Sequence, residues 1–397
     1  MKEKNKGRKI YKTKEKNIYQ KSAGAKFFSV GLTVLFLGGI AFLGYSVAEP
    51  IMNFTKKKGD TDASVITTEA ATSESGILGD IDVDIINNPA VSAAEIHGAM
   101  LNVADLGSLT SLEAAVNRVT VDSEAEYVFV PLKSTGGSIN FTTVNNKAIL
   151  AGASTGRLSL SDICSTIRTA GYKPVAYVSL LSDNIYPQTY PESCYKTVDD
   201  GSRWIDNSAE NNGKYWLSPF TEEGKEYVNS LVNEIVSADF DHIVCADLIF
   251  PNFRASDLEL LDDEVNDPER YLVLTSMMNT IYSSSLTANC SAILEVSAAD
   301  VAQDRAEVLQ PMVLQISTLC VNVNMDELAN GIDVNGMPYD FNGSIEENLE
   351  KILGLIKDKV SDFNVIIRIS GKGSENADYN AVKEIVNKYG FKSYEIG

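Results

Sequence analysis

Over the C-terminal three-quarters of the chain, short apolar runs alternate with amphipathic stretches. Runs with the length and β-branched content of strands occur at 96–103, 127–132, 174–181, 242–250, 292–297, 319–324, 364–370 and 391–396. Segments with helical spacing lie between them at 109–120, 158–170, 222–238, 267–286, 303–312, 343–361 and 376–389. Strands joined in series by helices predict parallel pairing through right-handed crossovers, and eight such units close into a (β/α)8, or TIM, barrel. A doubly wound open sheet is the alternative. No helical segment follows the last strand, so residues 78–94 are expected to pack in its place or beneath the barrel.

Upstream the pattern changes. Residues 27–48 carry no charge over 22 positions, and at about 1.5 Å per residue they span a hydrocarbon core of about 30 Å. Ten Lys or Arg against Glu3 and Glu15 precede them, about +8 in all, which predicts a cytoplasmic tail with the remainder outside the cell membrane. The chain then divides into a basic tail (1–26), a transmembrane anchor (27–49), a flexible extracellular stalk (50–92) rich in Thr, Ser, Ala, Asp and Glu, and a barrel domain (93–397). Ser46-Val47-Ala48 also fits a signal-peptide cleavage site. The long charged region and long apolar run favour an uncleaved single-pass anchor held in the lipid bilayer.

The formal charge is −20, so the chain beyond the tail carries about −28. Such a surface repels phosphate backbones, and no nucleic-acid partner is expected. The five cysteines form no C-x-x-C pair, and their odd number leaves at least one unpaired. Cys245 and Cys320 sit in strand-like runs, where they read as small buried hydrophobes. His97 and His242 are the only histidines, and both fall at strand starts. Barrel chemistry occurs at the opposite, C-terminal ends of strands, so a histidine triad or zinc site is excluded and no metal or cofactor is expected.

Carboxylates do fall near strand ends: Asp105, Asp183, Asp247, Glu295 and Asp326. Asp247 and Glu295 lie on neighbouring strands and are the best candidate catalytic pair, because glycoside hydrolysis uses one carboxyl group to protonate the leaving oxygen and another to attack or activate water. Helix capping or solvation accounts for such carboxylates equally well. The long segment after the third strand gathers Tyr186, Tyr190, Tyr195, Trp204, Tyr215, Trp216 and Phe220. Flat rings with neighbouring amides suit sugar stacking, or simply pack the loop onto the barrel. Gly371-Lys372-Gly373-Ser374 follows the seventh strand, where barrels can hold phosphate, and a turn capped by Ser374 or Asn376 explains it as well.

Several passages over residues 95–340 carry a family likeness: Val130-Pro-Leu-Lys-Ser-Thr-Gly-Gly137, Gly171-Tyr-Lys-Pro-Val-Ala-Tyr-Val-Ser-Leu-Leu-Ser-Asp183, the Trp204-x-Asp206 to Trp216 loop, and Phe240-Asp-His-Ile-Val-Cys-Ala-Asp-Leu-Ile-Phe-Pro251. In order and spacing they resemble a family of glycoside hydrolase-like barrels on bacterial surface proteins. The resemblance implies a sugar-facing site that includes Lys133, Tyr177, Asp183, Trp204, Asp206 and Trp216. It also exposes departures. Where the family reads IDVKDDTG on strand two, this chain keeps Lys133 and Gly137 but has Pro131, Ser134 and Thr135 at the acidic positions. Tyr177 replaces the family's Arg. The FDYVRFP pattern becomes Cys245-Ala-Asp-Leu-Ile-Phe-Pro251, which puts Asp247 one residue out of register and, by strand alternation, on the opposite face unless a bulge restores it.

Together these readings predict a surface-tethered, glycoside hydrolase-like barrel that binds a polysaccharide or cell-wall glycan with weak or lost hydrolysis. Two alternatives stand beside it: an active glycosidase using Asp247 and Glu295, and a non-catalytic module that engages another protein.

Overall fold

The computed structural model describes residues 95–122, 125–305 and 314–397. Strands β1 (His97–Met100), β2 (Tyr127–Lys133), β3 (Lys173–Ser179), β4 (His242–Ala246), β5 (Ser291–Ser297), β6 (Thr318–Asn324), β7 (Asn364–Ser370) and β8 (Ser393–Ile396) form a closed barrel. Every neighbouring pair is parallel, and β8 pairs with β1 to complete the ring. All eight strands fall on the apolar runs of the sequence. The open-sheet alternative is excluded by closure.

Seven crossovers carry helices α1 (Leu109–Asp122), α2 (Leu160–Thr169), α3 (Glu222–Val236), α4 (Tyr271–Thr287), α5 (Ala298–Ala302), α6 (Ile345–Ile356) and α7 (Tyr379–Lys388). Their starts follow local chemistry. Ser159, Thr221 and Asp378 accept hydrogen bonds from the first-turn amides of α2, α3 and α7, and Ser344 with Glu347 makes a reciprocal capping box on α6. Helix α5 follows β5 directly because Ser297 caps it, and residues 303–305 at the start of the helix expected at 303–312 are turn and coil. Residues 306–312 of that expectation lie outside the described residues. One element went unforeseen: a two-stranded hairpin, Ile332–Val334 with Met337–Tyr339, inserted between β6 and α6. Its turn is Asn335-Gly336 with φ of 54° and 80°, a signature of tight hairpins.

Strand alternation sorts the barrel into layers. Phe129, Val175, Val244, Ile293, Cys320 and Ile366 meet in an apolar cluster inside it. Two residues further along four of these strands stand Tyr177, Glu295, Asn322 and Arg368, and β8 sets Glu395 in register with Arg368. The interior is therefore apolar below and ionic above. Outward-facing strand residues such as Val128, Ala176, Ile243, Leu294, Val321 and Ile367 join the helices in the larger core. All five cysteines are buried and free, and His97 and His242 open β1 and β4, at the end away from the ionic layer.

Among the described residues no helix is long and apolar enough to cross a membrane. The tail (1–26), the anchor expected at 27–49, the stalk (50–92) and the segment 78–94 lie outside the described residues.

Gly98 is a point of close packing inside the barrel. A Cβ there would stand 2.3 Å from the ring of Phe129, itself fully buried. Gly98→Ala is expected to destabilise the fold by about 1–3 kcal/mol through overpacking. Adding Phe129→Leu should recover part of that loss, so the double variant melts above the sum of the single effects in thermal denaturation.

Candidate active site

The ionic layer centres on Arg368. Its Nη1 donates to the Tyr177 hydroxyl at 3.0 Å and lies 3.2 Å from Glu295 Oε2, while its Nε lies 2.8 Å from Glu395 Oε2. Glu295 is engaged on both oxygens: Oε1 accepts from Tyr177 at 2.9 Å and from the Asn322 amide at 3.3 Å, and Oε2 faces Arg368. Ser370 in turn donates to Asn322 Oδ1 at 2.6 Å, which fixes the amide's orientation. One cation thus serves two carboxylates. The Glu295 and Arg368 side chains are 9% and 12% exposed, whereas Glu395 is wholly buried.

Burial dominates the proton affinities here. It pushes the Glu395 carboxyl up to about 7 against the pull of Arg368. Glu295 is also raised, first by burial and then by repulsion from Asp247, with Arg368 and the Tyr177 and Asn322 hydrogen bonds opposing. Tyr177 is driven well above its ordinary range by burial and by Glu295. The two carboxylates share one guanidinium, and the charge on Glu295 helps to raise the Glu395 carboxyl.

Asp247 reaches the same mouth by an unusual backbone. β4 ends at Ala246, and plain alternation would send the next side chain to the other face. Asp247 instead adopts φ 52°, a left-handed conformation that Asp tolerates better than most residues. Its Oδ2 accepts from Ser179 Oγ at 2.5 Å and from Thr135 Oγ1 at 2.9 Å. The left-handed turn does what a bulge would have done: the expectation that Asp247 points away is corrected, and its charge is felt by both Tyr177 and Glu295. Thr135, at a position that the resemblance implies is acidic, supplies one of its two hydroxyl donors.

The other expected sugar contacts are placed differently. Lys133, displaced by a register shift after Pro131, lies 3.1 Å from Asp183 Oδ2 with side chains 1% and 0% exposed. Lys133 Nζ also donates to Ser179 O at 2.9 Å, and Asp183 Oδ1 accepts from the amides of Ile185 and Tyr186. This ion pair staples the end of β2 to the loop after β3 beneath the surface. Gly137, at φ 107°, approaches so closely that a Cβ would meet Asp183 Oδ1 at 2.2 Å.

Trp204 is likewise buried, packed with Tyr195, Phe253, Leu261 and Val265 in a small core that joins the long β3 and β4 loops. Asp206 ties this loop together, accepting from Trp216 Nε1 at 3.0 Å and from Lys214 N at 2.7 Å. Of the aromatic pair, Trp216 alone keeps partial exposure. Asp105 bonds Arg118 and the Asn102 amide, and Asp326 accepts the Lys372 amide of the glycine-rich turn, so both act as loop tethers. Among the described residues no three His, Cys, Asp or Glu side chains gather to hold a metal.

Arg368, Glu395 and Asn322 were not singled out in the sequence. A signal was present: single charged residues within otherwise apolar strands, Val365-Ile-Ile-Arg-Ile369 and Tyr394-Glu-Ile396, since lone charges in buried strands demand partners.

A family model described as "Putative glycosyl hydrolase domain" matches residues 99–301, just over half of the chain. The chain belongs to this family. Its matched segment contains Asp247 and Glu295, while Arg368 and Glu395 lie beyond it. Among solved structures, the PgaB (BpsB) glycoside hydrolase domain from Bordetella bronchiseptica is 11% identical over 76% of this chain and 92% of its own, with a TM-score of 0.50, a likeness of fold. A hypothetical protein from Ruminiclostridium thermocellum is 18% identical over 49% of this chain and 96% of its own, with a TM-score of 0.42. The PelA glycoside hydrolase domain from Pseudomonas aeruginosa is 10% identical over 76% and 94%, with a TM-score of 0.41. No curated protein matches.

Removing one partner of a buried ion pair strands the other charge at about 3–5 kcal/mol. Lys133→Met is therefore expected to lower the urea midpoint strongly, and Lys133→Met with Asp183→Asn to restore part of the loss.

Proposed function

We propose that the barrel mouth binds a polysaccharide or cell-wall glycan and that hydrolysis there is weak or lost. The observation that carries this reading is the commitment of Glu295. Glycoside hydrolysis needs two carboxyl groups facing the sugar, one of them free to deliver a proton. Glu295 is held on one oxygen by Tyr177 and Asn322 and on the other by Arg368, and little of it is exposed. A guanidinium on a carboxylate stabilises the anion and occupies the oxygen from which a proton would be given.

Asp247 is the less engaged of the two. Its hydroxyl contacts fall on Oδ2, and Oδ1 has no partner among the described residues. A carboxylate, hydroxyls and an amide around one mouth form a set of acceptors and donors matched to sugar hydroxyls. Attachment outside a membrane through residues 27–49 completes the proposal, supported by 22 uncharged positions behind a tail of about +8.

The second reading, an active glycosidase using Asp247 and Glu295, is favoured by the convergence of both carboxylates on the mouth and by the raised proton affinity of Glu295. A glycan array on the full chain, followed by product analysis of each hit, separates the two. The expected result is glycan retention without release of reducing ends, weakened about tenfold in Asp247→Asn, or ~1.4 kcal/mol. Reducing ends that appear with the unaltered protein and vanish in both Asp247→Asn and Glu295→Gln would establish the glycosidase. Retention of no glycan would remove the mouth as a sugar site.

A further inference from the structure

We infer that Glu395 is a positioning residue that acts on the mouth through Arg368: its protonation decides how the single guanidinium is divided between Glu395 and Glu295, and so sets the strength of glycan binding. The inference rests on the reading of the mouth as a glycan site and adds its regulation.

The geometry makes the coupling direct. Glu395 lies in register with Gly98 on one side and Arg368 on the other. It is fully buried, with Oε2 forming an ion pair 2.8 Å from Arg368 Nε and neither oxygen accepting a hydrogen bond among the described residues. The groups that face this centre come from every strand around it. β7 gives Arg368, β5 gives Glu295, β3 gives Tyr177, β6 gives Cys320 and Asn322, and the end of β4 gives Asp247. β1 offers Gly98 and β2 offers Phe129, neither of them ionisable. Arg368 is the one cation among these groups, and two carboxylates, Glu295 and Glu395, draw on it.

With Glu395 protonated, the charge of Arg368 is left to Glu295, and that carboxylate is held shut. With Glu395 ionised, the guanidinium is shared, the layer carries a net negative charge, and Glu295 is left short of donors. Sugar hydroxyls are such donors. A neutral glycan therefore binds the ionised state more tightly, and by reciprocity its binding releases a proton to water.

The sign of the accompanying stability change follows from linkage. The carboxyl of Glu395 is raised from an ordinary 4.5 to about 7 in the folded protein. Below the lower value both folded and unfolded chains are protonated. Between the two, the folded chain keeps a proton that the unfolded chain has lost, so stability falls as pH rises, and the full penalty is present above the upper value.

The test uses the full chain and Glu395→Gln, which keeps the shape and removes the titration. Thermal melts from pH 5 to pH 8.5 should show the unaltered protein losing stability relative to Glu395→Gln as pH rises. Glycan affinity should rise about tenfold for the unaltered protein over the same range and stay flat for the variant. A melting difference that does not change with pH overturns the inference whatever glycans do. A melting difference that widens beside an affinity that ignores pH overturns the coupling to the mouth. If no glycan binds at any pH while the melting difference widens, the glycan reading itself fails and the proton switch stands. Should Glu395→Gln not fold, carbon-13 detection of the Glu395 carboxyl in the unaltered chain reads the same titration, and a midpoint near the ordinary glutamate value overturns the inference.

Discussion

A guanidinium enclosed in a barrel must be neutralised where it stands, and Arg368 is neutralised by β5 and β8 at once. Taking such a charge out of water is unfavourable by several kcal/mol, so its partners cannot be incidental. The apolar cluster of Phe129, Val175, Val244, Ile293, Cys320 and Ile366 seals the barrel below it. That seal gives the ionic layer one side to face, the mouth. Tyr177, Asn322 and Ser370 then become members of one network rather than separate polar substitutions. The mouth's electrostatics, and the restraint on Glu295, descend from this single burial.

The barrel was legible because its signal is periodic. Each of the eight apolar runs read as strands, from β1 to β8, became a strand of one ring, since a strand buried on both faces needs an unbroken run and little else. The short hairpin at Asn335-Gly336 escaped because three-residue strands have no measurable period, although the turn dipeptide was in view. The site was less legible for a different reason. Whether Lys133 and Asp183 face solvent or each other depends on a register shift that no local pattern reports. Asp247 was misdirected by alternation, a rule that holds only while φ stays negative. Trp204 and Trp216 look alike in sequence, yet one is core and the other half-open, because the core they share is completed by residues from another loop.

The family match and the ionic layer divide the molecule unevenly. Residues 99–301 carry the family pattern and both expected carboxylates. The partners that restrain Glu295 come in part from β6 and β7, beyond that segment. A comparison confined to the matched region would see two acids at a barrel mouth and miss the arginine that binds one of them. Just past the end of β2, Thr135 donates to Asp247 and so helps to hold that carboxylate at the mouth.

The small aromatic core between the β3 and β4 loops has a consequence for how this mouth can diversify. Barrel loops ordinarily vary one at a time, each an independent module on a rigid frame. Here Tyr195 and Trp204 from one loop interlock with Phe253, Leu261 and Val265 from the other. A change of length or shape in either loop must be answered in its neighbour, so these two loops form one heritable unit and their sequences should co-vary across descendants of this chain.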